Sequence, residues 1–152
     1  MKQEYLHLIL LIERLHRRFL DVIKTELDTH GIEDINNVQT LILYNIAGEN
    51  LTIGELTTRG YYLGSNVSYN IKKLVENEYL VQERSEHDKR SVKVKLSEKG
   101  LAICEKIDQL HQNNIYKLEE IGMDEDEIKT TISNLRNLES FWSSCVHVMD
   151  NF

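Results

Sequence analysis

Apolar side chains recur every three or four positions over much of this chain, which is the spacing of one buried face of a helix. In the first such stretch the recurring positions are Tyr5, Leu8, Ile12, Leu15, Phe19, Val22 and Ile23. Gly31 follows Leu27 and supplies a stop signal. The pattern therefore predicts a long amphipathic first helix.

Two shorter helices are predicted next. Asn36 or Asn37 can cap the first of them, which Gly48 ends; its apolar positions are Val38, Leu41, Ile42 and Ile46. Thr52 is followed three residues later by Glu55, which is the spacing of a capping box. We therefore expect a third, short helix that begins at Thr52 and stops near Gly60.

The fourth predicted helix differs from the others because its exposed face is polar but free of acid. Ser65 is placed to cap it, and the apolar positions are Val67, Ile71, Leu74 and Val75. The remaining positions form the predicted polar face: Asn66, Ser68, Tyr69, Asn70, Lys72 and Lys73. No Asp or Glu occurs between Leu56 and Val75.

The period then changes from that of a helix to that of a strand. Val92, Val94 and Leu96 alternate with lysines, and a polar "SEHDKR" segment separates them from an earlier β-like run, so a two-stranded hairpin is predicted. Two long helices follow, one from Ser97 to about Ile121 and one from Asp124 to Met149.

This order of elements predicts a mainly α fold with a small β-hairpin. A short helix, a tight turn and a polar-faced helix make a helix-turn-helix, and a hairpin directly after them makes it winged. We expect a winged helix-turn-helix lobe at 36–100 within a single 152-residue chain. The flanking segments, 1–30 and 101–152, are expected to be dimerisation helices.

Apolar residues on more than one face of the first and last helices favour a homodimer. Segment 8–12 is apolar throughout. Over half a turn of the last helix is covered by Leu135, Leu138, Phe141, Trp142 and Val146. A chain of this length has too small a core to cover both faces, so two-fold symmetry would bury them in a stem between two copies.

The distribution of charge favours a focused nucleic-acid contact. The chain has a formal net charge of -7, but residues 51–100 hold nine Lys or Arg against seven Asp or Glu. Overall acidity argues against a non-specific binder of the histone type, and the local basic excess argues for one contact surface. Carboxylates on that surface would repel phosphate, which explains the acid-free segment.

Other function classes find little support in the sequence. It lacks a nucleophile elbow, a phosphate-binding glycine loop, an H-E-x-x-H pair and a C-x-x-C motif, so we expect neither enzymatic activity nor a cofactor. The six histidines lack close ligand spacing, so no metal site is expected. The apolar run 8–12 is too short to span a membrane, and the protein is expected to be soluble and cytoplasmic. Cys104 and Cys145 suggest a reducing compartment; Cys104 is a redox sensor or, as we favour, a buried structural residue.

Segment 51–100 resembles the DNA-binding core of the MarR family of bacterial transcription regulators. The resemblance rests on "LT..EL" from Leu51, on Ser-x-x-Ser-x-x-Ile-x-x-Leu from Ser65, on "DKR" from Asp88 and on "LSEKG" at 96–100. The family usually has a proline just ahead of an Asp-Arg-Arg wing motif, whereas His87 stands there in this chain. "RLHRRFLDVIKTELD", "INNVQTLILYNI" and "TTRGYYLGSN" resemble a narrower branch, regulators of L,D-transpeptidase genes that act on cell-wall remodelling.

The resemblance implies a homodimer on a pseudo-palindromic double-stranded DNA operator, with occupancy altered by a small molecule or oxidant. The polar face of the fourth helix is then expected in the major groove, where Asn can bond adenine, Ser and Tyr can reach bases or phosphates, and lysines neutralise phosphate. The alternative is an ordinary solvated face.

The wing and its surroundings supply the other predicted DNA contacts. We expect Arg90 to enter a minor groove, Lys89 to be a further DNA contact, and Asp88 to hold the loop by pairing with Arg90 or Arg84. Ser65, at the start of the fourth helix, is also expected to contact DNA. For Arg59, in the acid-free segment, contact with the DNA backbone and a position on the plain surface are equally expected. An exposed turn with incidental charges is the alternative for the wing.

The family resemblance also implies an effector pocket between the first, second and fifth helices. Thr40 and Tyr44 share a face of the second helix, and His16 and Phe19 share a face of the first. Ordinary helix packing explains these four residues equally well. The rival to DNA binding is a winged helix used only for protein contact, which should carry apolar anchors on the fourth helix.

Overall fold

The computed structural model describes residues 1–47, 51–58, 64–84, 87 and 92–147. Its helices are α1 (Lys2–Thr29), α2 (Asn37–Ile46), α3 (Ile53–Thr58), α4 (Gly64–Glu76), α5 (Glu98–Glu120) and α6 (Glu125–His147). Its strands are β1 (Leu51–Thr52), β2 (Leu80–Arg84) and β3 (Val92–Leu96). The mainly helical, winged helix-turn-helix fold predicted from the sequence is confirmed.

Local capping chemistry explains where α1 ends and α2 begins. Gly31 adopts a positive φ of 65°, and the Ile32 N–H donates to the carbonyl of Leu27, which closes the last turn of α1. At the next helix the Asn36 side chain accepts from the Gln39 N–H at 2.8 Å, and Gln39 Oε1 accepts from the Asn36 N–H at 3.1 Å. Asn36 is therefore the cap of α2, through a capping box.

The sheet has three antiparallel strands in the order β1-β3-β2. The predicted hairpin of β2 and β3 is present, and β1 adds a third strand through the pairs Leu51↔Val94 and Thr52↔Lys93. A strand of two residues is too short to show alternation, so the sequence pattern did not reveal it. Thr52 also caps α3 as predicted, because its Oγ1 accepts from the Glu55 N–H at 3.1 Å.

The described chain divides into two compact units, 1–110 and 111–152. The first contains a single core in which the C-terminal turns of α1 meet α2, α4, the sheet and the start of α5. Its largest fully buried side chains include Tyr79, Ile23, Ile42, Leu43, Ile46, Ile71, Leu74 and Ile107. The long N-terminal part of α1 takes no part in this core, since none of the residues 1–22 is buried.

The second unit consists of the last turns of α5, a turn at Gly122 and helix α6. None of its described residues up to Val146 is buried. Large apolar side chains that remain exposed in this unit are Ile115, Tyr116, Ile121, Met123, Ile132, Leu135, Phe141 and Val146. Among the helices of the described residues, none combines the length and the hydrophobicity that a membrane-spanning segment requires.

The start of α5 is packed tightly against the start of β2. Ser97 caps α5, with its Oγ accepting from the Gly100 N–H and donating to the Glu78 and Tyr79 carbonyls. The Gly100 backbone lies so close to β2 that an added Cβ would stand 2.3 Å from the Tyr79 carbonyl oxygen. Position 100 therefore has no room for any side chain.

Asp34, in the connection between α1 and α2, joins three elements of the lobe. Its carboxylate accepts from the Tyr79 hydroxyl at 2.6 Å and from Lys99 Nζ at 2.7 Å. Its carbonyl accepts from the Asn77 side chain at 2.7 Å, and the Lys99 ammonium lies 4.1 Å from the centre of the Tyr79 ring. The hydrogen bonds from Lys99 and then Tyr79 lower the pKa of Asp34 below its usual value.

Asp34→Asn is expected to make stability less dependent on pH in the acid range. Because the pKa of Asp34 is lower in the folded than in the unfolded protein, its contribution is complete above the unfolded value of roughly 4 and is lost as pH falls through the folded value. Wild type should therefore exceed Asp34→Asn in unfolding free energy at pH 7, and the gap should close on acidification. Denaturant titrations at fixed protein concentration measure it; a pH-independent gap would contradict this account.

Candidate nucleic-acid interface

Helix α4 has one face in the core and one face in solvent. Val67, Ile71 and Leu74 are almost completely buried, at the i, i+4, i+7 spacing predicted from the sequence. The opposite face exposes Asn66, Ser68, Tyr69 and Lys72. Tyr69 is 60% exposed, so its ring lies in solvent and not against its own domain. The structure therefore brings these four predicted residues together on one accessible surface, here called the outer face of α4.

Asn70 does not belong to the outer face, and its predicted position in the major groove is wrong. The residue is only 9% exposed. Its Oδ1 accepts from Gln39 Nε2 at 3.2 Å, and its Nδ2 donates to the Asn66 carbonyl at 2.8 Å. Asn70 lies next to Leu74 at the edge of the buried face, and both ends of its polar side chain are satisfied inside the lobe.

Gln39 is the partner that sequence reasoning missed. It is 7% exposed and completes the capping box of α2 while donating to Asn70. The Asn-x-x-Gln spacing from Asn36 could have revealed the capping bond. The second bond joins residues 31 positions apart and follows only from the packed fold.

Asn70→Ala is expected to lower the free energy of unfolding by about 1–3 kcal/mol, because it leaves the buried amide of Gln39 without its acceptor. Asn66→Ala is the matched control on the outer face. There the bonded group is the backbone carbonyl, so the change should stay within about 0.5 kcal/mol. Denaturant titration of both variants measures the difference, and equal stabilities would refute the inward placement of Asn70.

The two lysines of α4 differ in their availability to phosphate. Lys73 Nζ donates to Glu76 Oε2 at 2.8 Å, and this bond raises the pKa of Lys73. Lys72 Nζ is 3.9 Å from the same carboxylate and its side chain is 75% exposed. Phosphate would have to replace an existing ion pair at Lys73, whereas Lys72 is open to it.

The strands of the wing carry charged side chains up to the ends of the described hairpin. Lys95 of β3 forms an ion pair with Glu83 of β2. Five of the predicted DNA contacts fall outside what the structure describes. These are Arg59, Asp88, Lys89 and Arg90, which lie outside the described residues, and Ser65, whose side chain is not described. Their roles therefore stay predictions.

The four residues predicted to line an effector pocket are not equivalent. Thr40 is fully buried and its hydroxyl donates to the Asn36 carbonyl at 2.8 Å, so the prediction that it faces a ligand is wrong. The Tyr44 hydroxyl donates to Asp108 on α5 at 2.6 Å, and this bond raises the pKa of Tyr44. His16 and Phe19 are exposed on α1. The described structure thus leaves Tyr44, His16 and Phe19 accessible.

Cys104 is buried beside this region on α5. Burial raises the pKa of its thiol to about 11, and the charge of Asp108 adds to the effect. A thiol with a raised pKa is protonated at neutral pH and reacts slowly with oxidants. This environment fits the structural reading of Cys104.

Comparison with known proteins agrees with the geometry of the lobe. The family described as "Winged helix DNA-binding domain" matches residues 35–100. The exopolysaccharide II synthesis transcriptional activator ExpG of Rhizobium meliloti (strain 1021) is 36% identical over 140 residues, which cover 92% of this chain and 72% of ExpG.

Solved structures show the same fold over nearly the whole chain. Streptococcus pneumoniae FabT in complex with DNA matches with a TM-score of 0.75 and 22% identity, covering 93% of this chain and 99% of FabT. Staphylococcus aureus MarR in complex with salicylate and kanamycin matches with a TM-score of 0.70 and 24% identity, covering 94% and 93% of the two chains.

The winged helix DNA-binding domain at 35–100 and the relation to the transcriptional activator ExpG place the chain in the class of DNA-binding transcription regulators. The sequence identity to ExpG extends over most of both chains, and the solved structures have the same fold. Together these findings identify the family within that class. The chain belongs to the MarR family of transcription regulators.

Proposed function

We propose that the protein is a homodimeric regulator that binds a pseudo-palindromic operator through the outer face of α4. The observation that carries this proposal is the composition of that face. Asn66, Ser68 and Tyr69 offer hydrogen-bonding groups for base edges or phosphates, and Lys72 offers a cation for the backbone. Among the described residues of α3 and α4, the segment from Leu56 to Val75 has no carboxylate to repel DNA.

The homodimer is supported by apolar surface that the single chain leaves uncovered. Helix α1 exposes Leu6, Leu8, Leu10, Leu11, Leu15 and Phe19. In the second unit none of the described residues up to 146 is buried, and the exposed side chains of α6 include the apolar Leu135 and Phe141. Exposed apolar patches of this kind mark protein interfaces, and a two-fold dimer would bury the same patch of both copies.

The wing is proposed to make the second DNA contact of each lobe. Arg90 would enter the minor groove, with Lys89 beside it and Asp88 holding the loop. Arg59 and Ser65 would contact the backbone at the start of the reading helix. This part of the proposal rests on the sequence resemblance alone.

A small-molecule effector and a set of envelope genes complete the proposal. The salicylate complex of Staphylococcus aureus MarR and the accessible Tyr44 near α5 favour an effector that acts on the α2–α5 contact. Resemblance to regulators of L,D-transpeptidase genes favours cell-wall remodelling targets. The name of ExpG concerns exopolysaccharide, another polymer of the cell surface.

The test is a binding assay with DNA from upstream of the protein's own gene and with random DNA of equal length. Wild type should prefer the upstream DNA, because base contacts from α4 specify sequence. Lys72→Ala should weaken binding to both DNAs and lower the salt slope by roughly one, as expected for one lost phosphate contact. Lys129→Ala, on α6, is the matched control and should change neither.

This binding assay distinguishes sequence-specific DNA recognition from the rival function, a winged helix used only for protein contact. Equal affinity for both DNAs would remove sequence-specific recognition from the proposal. Absence of binding to either DNA by the folded dimer would favour a winged helix used for protein contact.

A further inference from the structure

Helices α2 and α4 are joined inside the lobe by a pair of buried amide side chains. Gln39 of α2 is 7% exposed and Asn70 of α4 is 9% exposed, and Gln39 Nε2 donates to Asn70 Oδ1 at 3.2 Å. Apolar side chains of the same size would pack at these positions without the cost of removing polar groups from water. The presence of two amides in the core therefore requires an explanation.

Backbone groups at both ends fix the direction of the hydrogen bonds that these amides make. The Asn36 N–H can only donate, so the Gln39 oxygen faces it, at 3.1 Å, and the Gln39 amino group is left for Asn70. At the other end the Asn66 carbonyl can only accept, and Asn70 Nδ2 donates to it at 2.8 Å. Exchange of oxygen and nitrogen in either amide would bring two donors or two acceptors together. The series therefore has a single arrangement.

The apolar contacts of α4 hold the helix in the lobe but do not fix its rotation closely. Val67, Ile71 and Leu74 are buried in the core, and the burial of apolar area is non-directional. A hydrogen bond, in contrast, requires a narrow range of distance and angle. A single buried polar group can set the register of packed helices in this way. The bond from Gln39 therefore fixes how far α4 is turned about its own axis.

The rotation of α4 determines where the side chains of its outer face lie. Their ends stand about 6 Å from the helix axis, so a rotation of about 10° moves them by about 1 Å. A hydrogen bond to a base edge is lost over such a distance. A flexible lysine beside a phosphate is much less sensitive, because it acts as a point charge on a long stem. Correct rotation therefore matters more for reading bases than for general attraction to DNA.

We propose that Gln39 and Asn70 are positioning residues for DNA reading. Their bond sets the rotation of α4 at which the side chains of the outer face meet the base edges, although neither amide contacts DNA itself. This inference rests on the proposed function, since it concerns how the outer face reads a sequence. Loss of the bond should therefore lower discrimination between DNA sequences more than it lowers stability or affinity for random DNA.

The first test replaces both amides by apolar side chains of similar shape, in the variant Gln39→Met/Asn70→Leu. Removal of both partners leaves neither amide unsatisfied, so stability should stay close to that of wild type. The cap of α2 is retained, because the Asn36 side chain bonds the backbone N–H of position 39. Circular dichroism melts of the full chain check the fold.

The DNA measurement compares affinity for DNA from upstream of the protein's own gene with affinity for random DNA of equal length. In the double variant we expect the ratio of the two affinities to fall by about 10-fold or more, the cost of one lost base contact. Affinity for random DNA should change by less than about twofold and the salt slope should stay the same, because the phosphate contacts are kept.

Thr40→Val is the matched control on α2. The Thr40 hydroxyl is fully buried and donates to the Asn36 carbonyl within α2, so this variant also removes a buried polar bond but leaves the amide pair intact. The Asn36 carbonyl keeps its bond from the Thr40 N–H at 2.9 Å. The variant should therefore discriminate between the two DNAs as wild type does.

Asn70→Ser isolates the bond between the two helices and provides a second variant should the double variant fail to fold. The serine hydroxyl can still donate to the Asn66 carbonyl one turn earlier, but it is too short to reach Gln39. We expect the same fall in the affinity ratio as in the double variant.

The outcomes separate a positioning role from a purely structural one. Wild-type discrimination in either folded variant overturns the inference, since a pair that serves stability alone would leave the affinity ratio unchanged. Equal losses on both DNAs, or an equal fall of the ratio in Thr40→Val, would also overturn it. If wild type itself binds both DNAs equally, the proposed function fails and the inference fails with it. If wild type discriminates and the variants do so equally well, the inference alone fails.

Discussion

Gly100→Ala is expected to lower the free energy of unfolding by about 3 kcal/mol, at the upper end of the range for overpacked sites. The added Cβ would meet the Tyr79 carbonyl oxygen at 2.3 Å, well inside contact distance. The obstacle is backbone and cannot rotate away as a flexible side chain would. Relief requires α5 to move from β2, which breaks the bond between Ser97 Oγ and the Tyr79 carbonyl.

Denaturant titration at fixed protein concentration measures this effect, since the stability of an oligomer depends on concentration. Gly54→Ala is the matched control: there the nearest atom to an added Cβ is Thr52 Oγ1 at 3.8 Å, an ordinary contact. Because alanine also favours the helix, this variant should equal wild type or gain up to about 1 kcal/mol. Wild-type stability of Gly100→Ala would contradict the close approach of α5 to β2.

If the proposed homodimer forms through α6, Leu135→Glu is expected to convert it to a monomer and to reduce affinity for the proposed operator by about 100-fold or more. The side chain is 45% exposed in the single chain, so a glutamate is tolerated there. In a dimer interface the same carboxylate would be buried without a partner, at a large cost. A monomer would bind each half-site separately. It would therefore lose the gain in affinity that effective concentration gives to two joined lobes, typically about 10²–10⁴-fold.

Light scattering and gel shift on the same samples measure mass and affinity together. Asn137→Glu introduces the same charge two residues away, at an exposed polar position on another side of α6, and should remain a dimer with wild-type affinity. A Leu135→Glu protein with dimer mass and full affinity would show that α6 does not form the interface.

The helical and strand periods of the sequence were sufficient to predict the order of the helices and the hairpin, because each amphipathic element records which of its faces is buried. The Val67, Ile71 and Leu74 positions of α4 are an example. The error at Asn70 arose at the border between the two faces of α4. At about 100° per residue, position 70 lies roughly 40° beyond Leu74, just outside the arc of those three residues, so residue type decided the assignment.

Other features could not be predicted because they depend on contacts between residues far apart in the chain. The bond between the Tyr79 hydroxyl and Asp34 joins positions 45 residues apart, and the bond between Gln39 and Asn70 joins positions 31 apart. Thr40 differs, because its hydroxyl bonds the carbonyl of Asn36 only four residues earlier; what the sequence did not reveal is its complete burial in the packed core. Periodicity reports burial along one helix and carries no information about such partners.

The two-residue strand β1 limits how regulators of this type can be recombined. Thr52 pairs with Lys93 of β3 and also caps α3, so one short segment belongs to both the wing and the reading motif. A chimera that exchanges only 80–96 for the hairpin of a relative would place a foreign β3 against the native β1. A functional graft boundary therefore lies ahead of residue 51, and the smallest exchangeable cassette contains the reading helix together with its wing.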